Sequence, residues 1–275
     1  MNPQEYDAIV VGSGAGGAAA AYKLALGGLR VVVLEKGDHL PTDGSTLDIQ
    51  RVVHQGEFLS HEPWLDGQGR RIVPEEHFNV GGKTKWYGAA LLRFAEHEFR
   101  PDTAHGCLGW PFALAELTPY YQEAERLLGV RIFENEPDLA RILARLERQS
   151  SGWQAQPMPM GLAANIAAYR TEASHFDGFA SAADLKAEAE RSLLSQLRSR
   201  DNFRLLVNAE VASLCGSPAA PTTVTGVRLS DGRTFTAPHV FLAAGALHSP
   251  RLLSGYLVAR ASITHCRRRG SSGDT

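Results

Sequence analysis

The 275-residue sequence has few cysteines, little net charge and no long apolar run. Each shortage removes a class of protein. Three cysteines, Cys107, Cys215 and Cys266, stand far apart with no paired spacing, so neither a disulfide framework nor a zinc ribbon is available. That scarcity fits a reducing compartment, and a cytoplasmic location is the expectation. Lys+Arg 28 against Asp+Glu 30 leaves a formal charge of -2, which gives no general attraction to nucleic acid or to an acidic membrane. The opening "MNPQEYDAIVVG" has no basic stretch before its apolar run, and glycines interrupt that run at strand length. Neither a signal peptide nor a transmembrane helix is expected. No internal repeat occurs, and no histidine, cysteine or carboxylate pattern calls for a metal. What remains is a soluble globular protein, 44% hydrophobic and 21% charged, whose partner is a small molecule.

The informative segment lies near the start. "YDAIVVG" is a β-branched run closed by glycine, "AGGAAAAYKLALGG" is alanine-rich, and "LRVVVLEKG" is again β-branched. This order reads strand, helix, strand, the parallel βαβ unit. Gly12, Gly14 and Gly17 fall at the G-x-G-x-x-G spacing inside it. In that motif the glycines serve a tight turn, backbone approach to a pyrophosphate, and close packing of helix on strand, while the helix N-terminus offers N–H groups and a positive dipole end. Glu35 stands 18 residues past Gly17 (35−17), at the end of the second strand, where a carboxylate can accept from ribose hydroxyls. An acid there disfavours a 2′-phosphate.

The motif leaves NAD and FAD open. A nicotinamide enzyme would continue with regular βα units after Glu35. Here residues 38–78 have poor periodicity and many turn residues, with room for one hairpin, and a strand-like "HVFLAAGALHSPRLL" comes only far downstream. That discontinuity points to FAD. Between these parts, "WPFALAELTPYYQEAERLLGV" suggests a helix opening near Pro119 and closing at Gly129, and "SAADLKAEAERSLLSQLRSR" reads as an amphipathic helix. "FRLLVNAEVASL", "TTVTGVRLS" and "TFTAPHVFLAAG" read as strands, with Asp231-Gly232 as the turn between the last two.

Four segments together resemble the glucose-methanol-choline family of FAD-dependent oxidoreductases: "VVGSGAGG" with Glu35, "NVGGKTKWYGAALLRF", "WPFALAELTPYYQEAERLLGV" and "VFLAAGALHSPRLL". The resemblance implies an α/β fold, a Rossmann-like FAD-binding domain with a parallel sheet plus an irregular insertion of helices and loops. It implies that Gly12, Ser13, Gly14, Ala15 and Gly17 hold the pyrophosphate of FAD, and that Glu35 and the Lys36 backbone hold the adenosine ribose. Gly81, Gly82, Lys83 and Thr84 would lie near the pyrophosphate and flavin, Val211 would meet the adenine, and Ala244 and Gly245 would lie under the cofactor. The expected division is 1–105 and 181–258 for the FAD-binding domain, 106–180 for the insertion toward substrate, and 259–275 for a disordered tail.

Two departures qualify the resemblance. Lys83, Thr84 and Tyr87 stand where the family often has serines and an asparagine. The family pattern also stops near Leu253, followed by "ARASITHCRRRGSSGDT" with its basic cluster Arg267–Arg269, so a truncated or frame-shifted product lacking the catalytic region is the expectation. In the family a histidine takes a hydroxyl proton while hydride passes to the flavin. His175 and His248 stand out by position, but neither matches that site, and no catalytic residue is assigned. The functional readings are an FAD-dependent oxidoreductase of alcohol or sugar CH–OH groups, a flavin-binding protein without turnover, and an NAD-dependent dehydrogenase. Substrate and electron acceptor are not legible, and neither nucleic acid nor membrane is an expected partner.

Overall fold

The computed structural model describes residues 6–149, 152, 155–217 and 223–270, with side chains described only as far as Arg260. The chain forms two compact units, 1–85 with 188–275, and 86–187.

The first unit opens with strand β1 (Ala8–Val11), helix α1 (Ala15–Leu26) and strand β2 (Val31–Leu34). β1 and β2 pair in parallel, Ala8 opposite Val31 and Val11 opposite Leu34, as the sequence pattern requires. Both strands are buried on both faces, which is why they read as unbroken apolar runs. Alanines 18, 21 and 25 of α1 are fully buried and let the helix lie close to the sheet. A short hairpin follows, β3 (Trp64–Leu65) against β4 (Arg71–Ile72), its turn held by the Asp66 carboxylate accepting from the N–H groups of Gln68 and Arg70.

The second unit holds helix α2 (Leu114–Leu128), strand β5 (Arg131–Ile132), helix α3 (Pro137–Gln149), strand β6 (Pro159–Met160) and helix α4 (Arg170–Ser174). α2 closes at Gly129 in the left-handed region, φ 60°, as expected, but it opens at Leu114 and contains Pro119. The start is set by Glu116, whose carboxylate accepts from the Ala113 N–H at 2.9 Å. Ala89, Leu162, Ile166 and Leu185 form this unit's core.

The stretch expected as one amphipathic helix over 181–200 is broken. Ala163 N–H donates to Leu185 O and Ala187 N–H to Gly161 O, both at 2.7 Å, so this backbone pairs with 161–163 instead of coiling. Asp184 takes a positive φ of 56°. Only α5 (Ala189–Ser192), back in the first unit, and a short turn at Leu194–Leu197 are helical. Long-range pairing outweighs the helix propensity of the Ala, Glu and Lys residues.

Five strands and a helix complete the first unit: β7 (Phe203–Leu206), β8 (Val211–Gly216), β9 (Val224–Leu229), β10 (Thr234–Thr236), β11 (His239–Leu242) and α6 (Gly245–Gly270). The parallel sheet has the order β11-β1-β2-β7, and β8, β9 and β10 form an antiparallel sheet. The Asp231-Gly232 turn joins β9 to β10. Asn208, at φ 51°, ends β7 and sends the next residues into the other sheet. Ile9, Val11, Val32, Leu34, Val227 and Tyr256 share one core. Residues 259–270, expected as part of a disordered tail, continue α6, a segment with no proline after Pro250; residues 271–275 lie outside the described residues.

Candidate cofactor site

Four backbone turns of the first unit converge on one cavity of about 440 Å³. The first turn joins β1 to α1. Gly12 sits at φ 97°, and a Cβ there would stand 2.5 Å from the Ala243 carbonyl oxygen. Gly17 is tighter still, since its Cβ would lie 1.9 Å from Gly12 O. These two glycines are demanded by the protein's own packing. Gly14 is different: its φ is -66°, and its Cβ would approach nothing nearer than Gly81 O at 4.0 Å. No steric conflict within the chain requires glycine at 14, whereas a ligand pressed against that backbone would. Gly14 caps α1 without a side-chain partner, and no acid occupies the helix's first turn, so the leading N–H groups of α1 have no partner within the helix.

The second turn carries Gly81 (φ 88°) and Gly82 (φ 55°). It stacks on the first, because a Cβ on Gly82 would lie 3.2 Å from Gly14 Cα. Asp38 pairs with Asn79, and Val80 N–H donates to Asp38 O, so the approach to this turn runs beside the end of β2. Thr84 donates its hydroxyl to Gly81 O at 2.6 Å and accepts from Ala189 N–H at 3.0 Å. Lys83 Nζ donates to Glu75 O at 2.6 Å.

The third wall is Glu35 and Lys36. Glu35 is 6% exposed. Its Oε2 accepts from both the N–H (2.9 Å) and the hydroxyl (2.6 Å) of Ser13, and its Oε1 accepts from Gly37 N–H at 3.0 Å. Lys36 Nζ is paired with Glu62 and with Glu210 at 3.0 Å, and lies 4.1 Å from the centre of the Phe78 ring. Burial works to raise the Glu62 pKa, but the Lys36 ammonium outweighs it and the carboxyl stays below its ordinary value. The fourth wall comes from Val211 at the head of β8, from Ala244 just after β11 and from Gly245, the first residue of α6. Ala244 N–H is held by Ser249 Oγ at 2.9 Å.

Of the residues expected from the sequence, all but Gly17 and Gly81 line the cavity, and those two pack directly behind it. The sequence reading missed Glu76, His77, Phe78 and Arg251 among the lining residues. Glu76–Phe78 sit in the aperiodic excursion, which carries no motif. His248 also lines the cavity, its Nε2 3.2 Å from Glu76 Oε1, with Trp64 and Phe78 edge-on to its ring at 5.3 and 5.4 Å. Burial lowers the His77 pKa, and its Nδ1 lies 2.9 Å from Phe58 O. His175 belongs to the second unit, where its Nδ1 lies 2.9 Å from Thr171 O. Among the described residues no group of His, Cys, Asp and Glu is placed to hold a metal. Nor is any helix there long and apolar enough to cross a membrane.

The family of FAD dependent oxidoreductases matches residues 7–271, nearly the whole chain. The chain belongs to that family. FAD is its cofactor, and a GMC-type oxidoreductase of Sinorhizobium fredii is 27% identical over 263 residues, covering 90% of this chain and 48% of that protein. The chain is 31% identical over 182 residues to 6'''-hydroxyparomomycin C oxidase of Streptomyces lividus, covering 57% of this chain and 32% of that protein. It is 36% identical over 132 residues to paromamine 6'-oxidase of Streptomyces fradiae, covering 46% and 23%. Cholesterol oxidase of Mycobacterium tuberculosis matches over 281 residues at 26% identity, 92% of this chain and 48% of its own. The chain therefore spans less than half the length of these relatives. The crystal structure of pyridoxine 4-oxidase from Mesorbium loti shares the fold, with a TM-score of 0.64 at 18% identity over 90% of this chain and 51% of that one.

Proposed function

We propose that this flavoprotein is the cofactor-holding part of an oxidoreductase that takes hydride from the CH–OH group of an alcohol or sugar-like donor. The observation that carries the reading is Gly14, a glycine with negative φ and open space before it, placed at the head of α1 where a pyrophosphate would press on the backbone. The α1 N-terminus binds the phosphates by its free N–H groups, and Gly82 stacked on Gly14 keeps side chains out of the same space. Glu35 retains one lone pair on Oε1 for a ribose hydroxyl. Val211, Ala244 and Gly245 admit the planar rings by their small or backbone surfaces. When bound, FAD supplies the hydride acceptor. The donor class rests on the relatives, whose names denote oxidases of aminoglycosides and of cholesterol.

The test is reconstitution. The purified chain, incubated with FAD and desalted, should retain a flavin absorption band, and NAD should compete weakly. As the cofactor-holding part by itself, the loaded chain should be bleached only slowly by primary alcohols, aldoses and aminoglycosides added anaerobically. Retention of NAD in preference to FAD would overturn the cofactor assignment. Retention of FAD with no bleaching by any donor would leave a flavin-binding protein without turnover.

A further inference from the structure

We propose that Ser13 acts as a positioning residue that ties the second glycine turn to the first through Glu35, and that its hydroxyl is not a phosphate ligand. Both of Ser13's donors are already committed. Its N–H and its O–H end on the same carboxylate oxygen, Glu35 Oε2, at 2.9 and 2.6 Å. A backbone N–H can only donate, so Oγ is the acceptor toward Gly81 and its own proton lies toward Glu35. Oγ receives the Gly81 N–H at 3.0 Å. The result is a directed chain, Gly81 N–H to Ser13 Oγ–H to Glu35, at the cavity wall, with Ser13 0% and Glu35 6% exposed.

Three segments distant in sequence meet in that chain: the β1–α1 turn, the end of β2 and the turn at residues 81–82. Gly37 N–H, on Glu35 Oε1, fixes the carboxylate from its other side. The second turn needs such a fixture. Gly81 and Gly82 both have positive φ, and the contact of Gly82 with Gly14 is backbone against backbone, which offers no side-chain interlock. Remove the Ser13 hydroxyl, and Gly81 keeps a buried N–H with no acceptor while Glu35 loses one of three donors. A buried donor left unpaired is costly enough to shift the turn. The hydrogen-bond chain thus sets the spacing between the two backbone surfaces that enclose the cofactor.

The inference rests on the FAD reading for its ligand but not for its geometry, so two measurements separate the two. The first uses the cofactor-free chain: hydrogen exchange of the segment 79–84 should quicken about tenfold in Ser13→Ala, and to a smaller degree in the near-isosteric Ser13→Cys. The second uses ligands: Ser13→Ala should lose about tenfold in FAD affinity and alter the visible circular dichroism of bound flavin. ADP, which reaches only the first turn and Glu35, should lose less than about threefold. Ser13→Ala added to Glu35→Gln should lower FAD affinity by less than it does alone. Unchanged exchange at 79–84 in both variants would overturn the proposal, as would equal losses for FAD and ADP with an unaltered flavin spectrum. If the unmodified chain takes up no FAD, the cofactor reading falls and the exchange measurement alone decides the role of Ser13.

Discussion

Gly17 packs so closely on Gly12 that a Cβ at 17 would lie 1.9 Å from the Gly12 carbonyl oxygen. Gly14, three residues earlier in the same motif, has no neighbour within that range. The two positions should respond oppositely to substitution. Gly17→Ala is expected to destabilise the fold by about 3 kcal/mol, since the turn or the helix must move. Gly14→Val should fold with nearly unchanged thermal stability and take up no FAD. Circular-dichroism melts beside FAD titration measure both; a Gly14→Val chain that binds FAD like the parent would remove the pyrophosphate from this turn.

Glu35→Ala strips the acceptor from three donors, the N–H and hydroxyl of Ser13 and the N–H of Gly37. The expected result is a loss of FAD binding of roughly 1.5–3 kcal/mol together with lower stability of the cofactor-free chain. A loss confined to binding, with no change in a urea melt, would show that the carboxylate serves the ribose alone.

Lys85 Nζ lies 2.9 Å from Glu190 Oε2 and 3.5 Å from Glu188 Oε1, and all three side chains are mostly buried. Lys85→Met leaves two buried carboxylates without their shared cation, so a loss of about 3 kcal/mol at neutral pH is expected. That deficit should shrink as the medium is acidified and the carboxylates take up protons. A deficit of the same size at pH 4 and pH 7 in urea melts would assign the loss to packing.

Glu188 and Glu190 titrate in opposite senses. Burial raises the Glu188 pKa above its ordinary value, even with Lys85 opposing it. For Glu190 burial also acts upward, but the Lys85 ammonium and His39 outweigh it and the pKa is lowered. The folded state thus binds protons more tightly than the unfolded at Glu188, and stability declines as pH rises above the ordinary carboxylate value of about 4.3. At Glu190 the stabilisation is present above that value and is lost as pH falls through the lower folded one. Relative to the parent, Glu188→Gln should therefore improve with rising pH between about 4 and 7. Glu190→Gln should be most harmful at neutral pH, and the harm should fade as pH drops below the ordinary carboxylate range. Parallel stability curves for parent and variants would contradict this division.

Lys186 is 1% exposed, and its Nζ donates to the carbonyls of Tyr87, Phe176 and Phe179 at 2.6–2.7 Å. Lys186→Met should cost about 3 kcal/mol, because three inward-facing carbonyls lose their donor. Exchange of amides in the second unit should quicken first. Equal stability of parent and variant in a urea melt would show that the ammonium contributes nothing net.

Several walls of the cavity are backbone turns, and turns announce themselves in a sequence through glycine. Gly12 and Gly14 stand in a spaced glycine motif, and Gly82 and Gly245, which the resemblance pointed to, also line the cavity. Glu76 and His248 meet only through the fold, 172 residues apart, and nothing local to either marks the pairing. The broken helix over 181–200 failed for a related reason. Its Ala, Glu and Lys content favours a helix, but Leu185 and Ala187 are taken by pairing with 161–163, a contact that propensity does not record. The split of "FRLLVNAEVASL" into two strands falls at a bend over 207–208, where Asn208 takes a left-handed φ of 51°.

The order β11-β1-β2-β7 also bears on how the chain is made. The first two strands leave the ribosome early, yet their outer partners, Phe203–Leu206 and His239–Leu242, come some two hundred residues later. At about 5–20 residues per second, that interval lasts roughly 10–40 seconds. Through it the apolar segments with Ile9, Val10, Val32 and Val33 lack the strands that cover both edges of their pair in the folded chain. Such segments are sticky, and closing the loops that complete the sheet is entropically slow. Yield in a cell should therefore depend on chaperones that hold residues 8–34 until His239–Leu242 arrives.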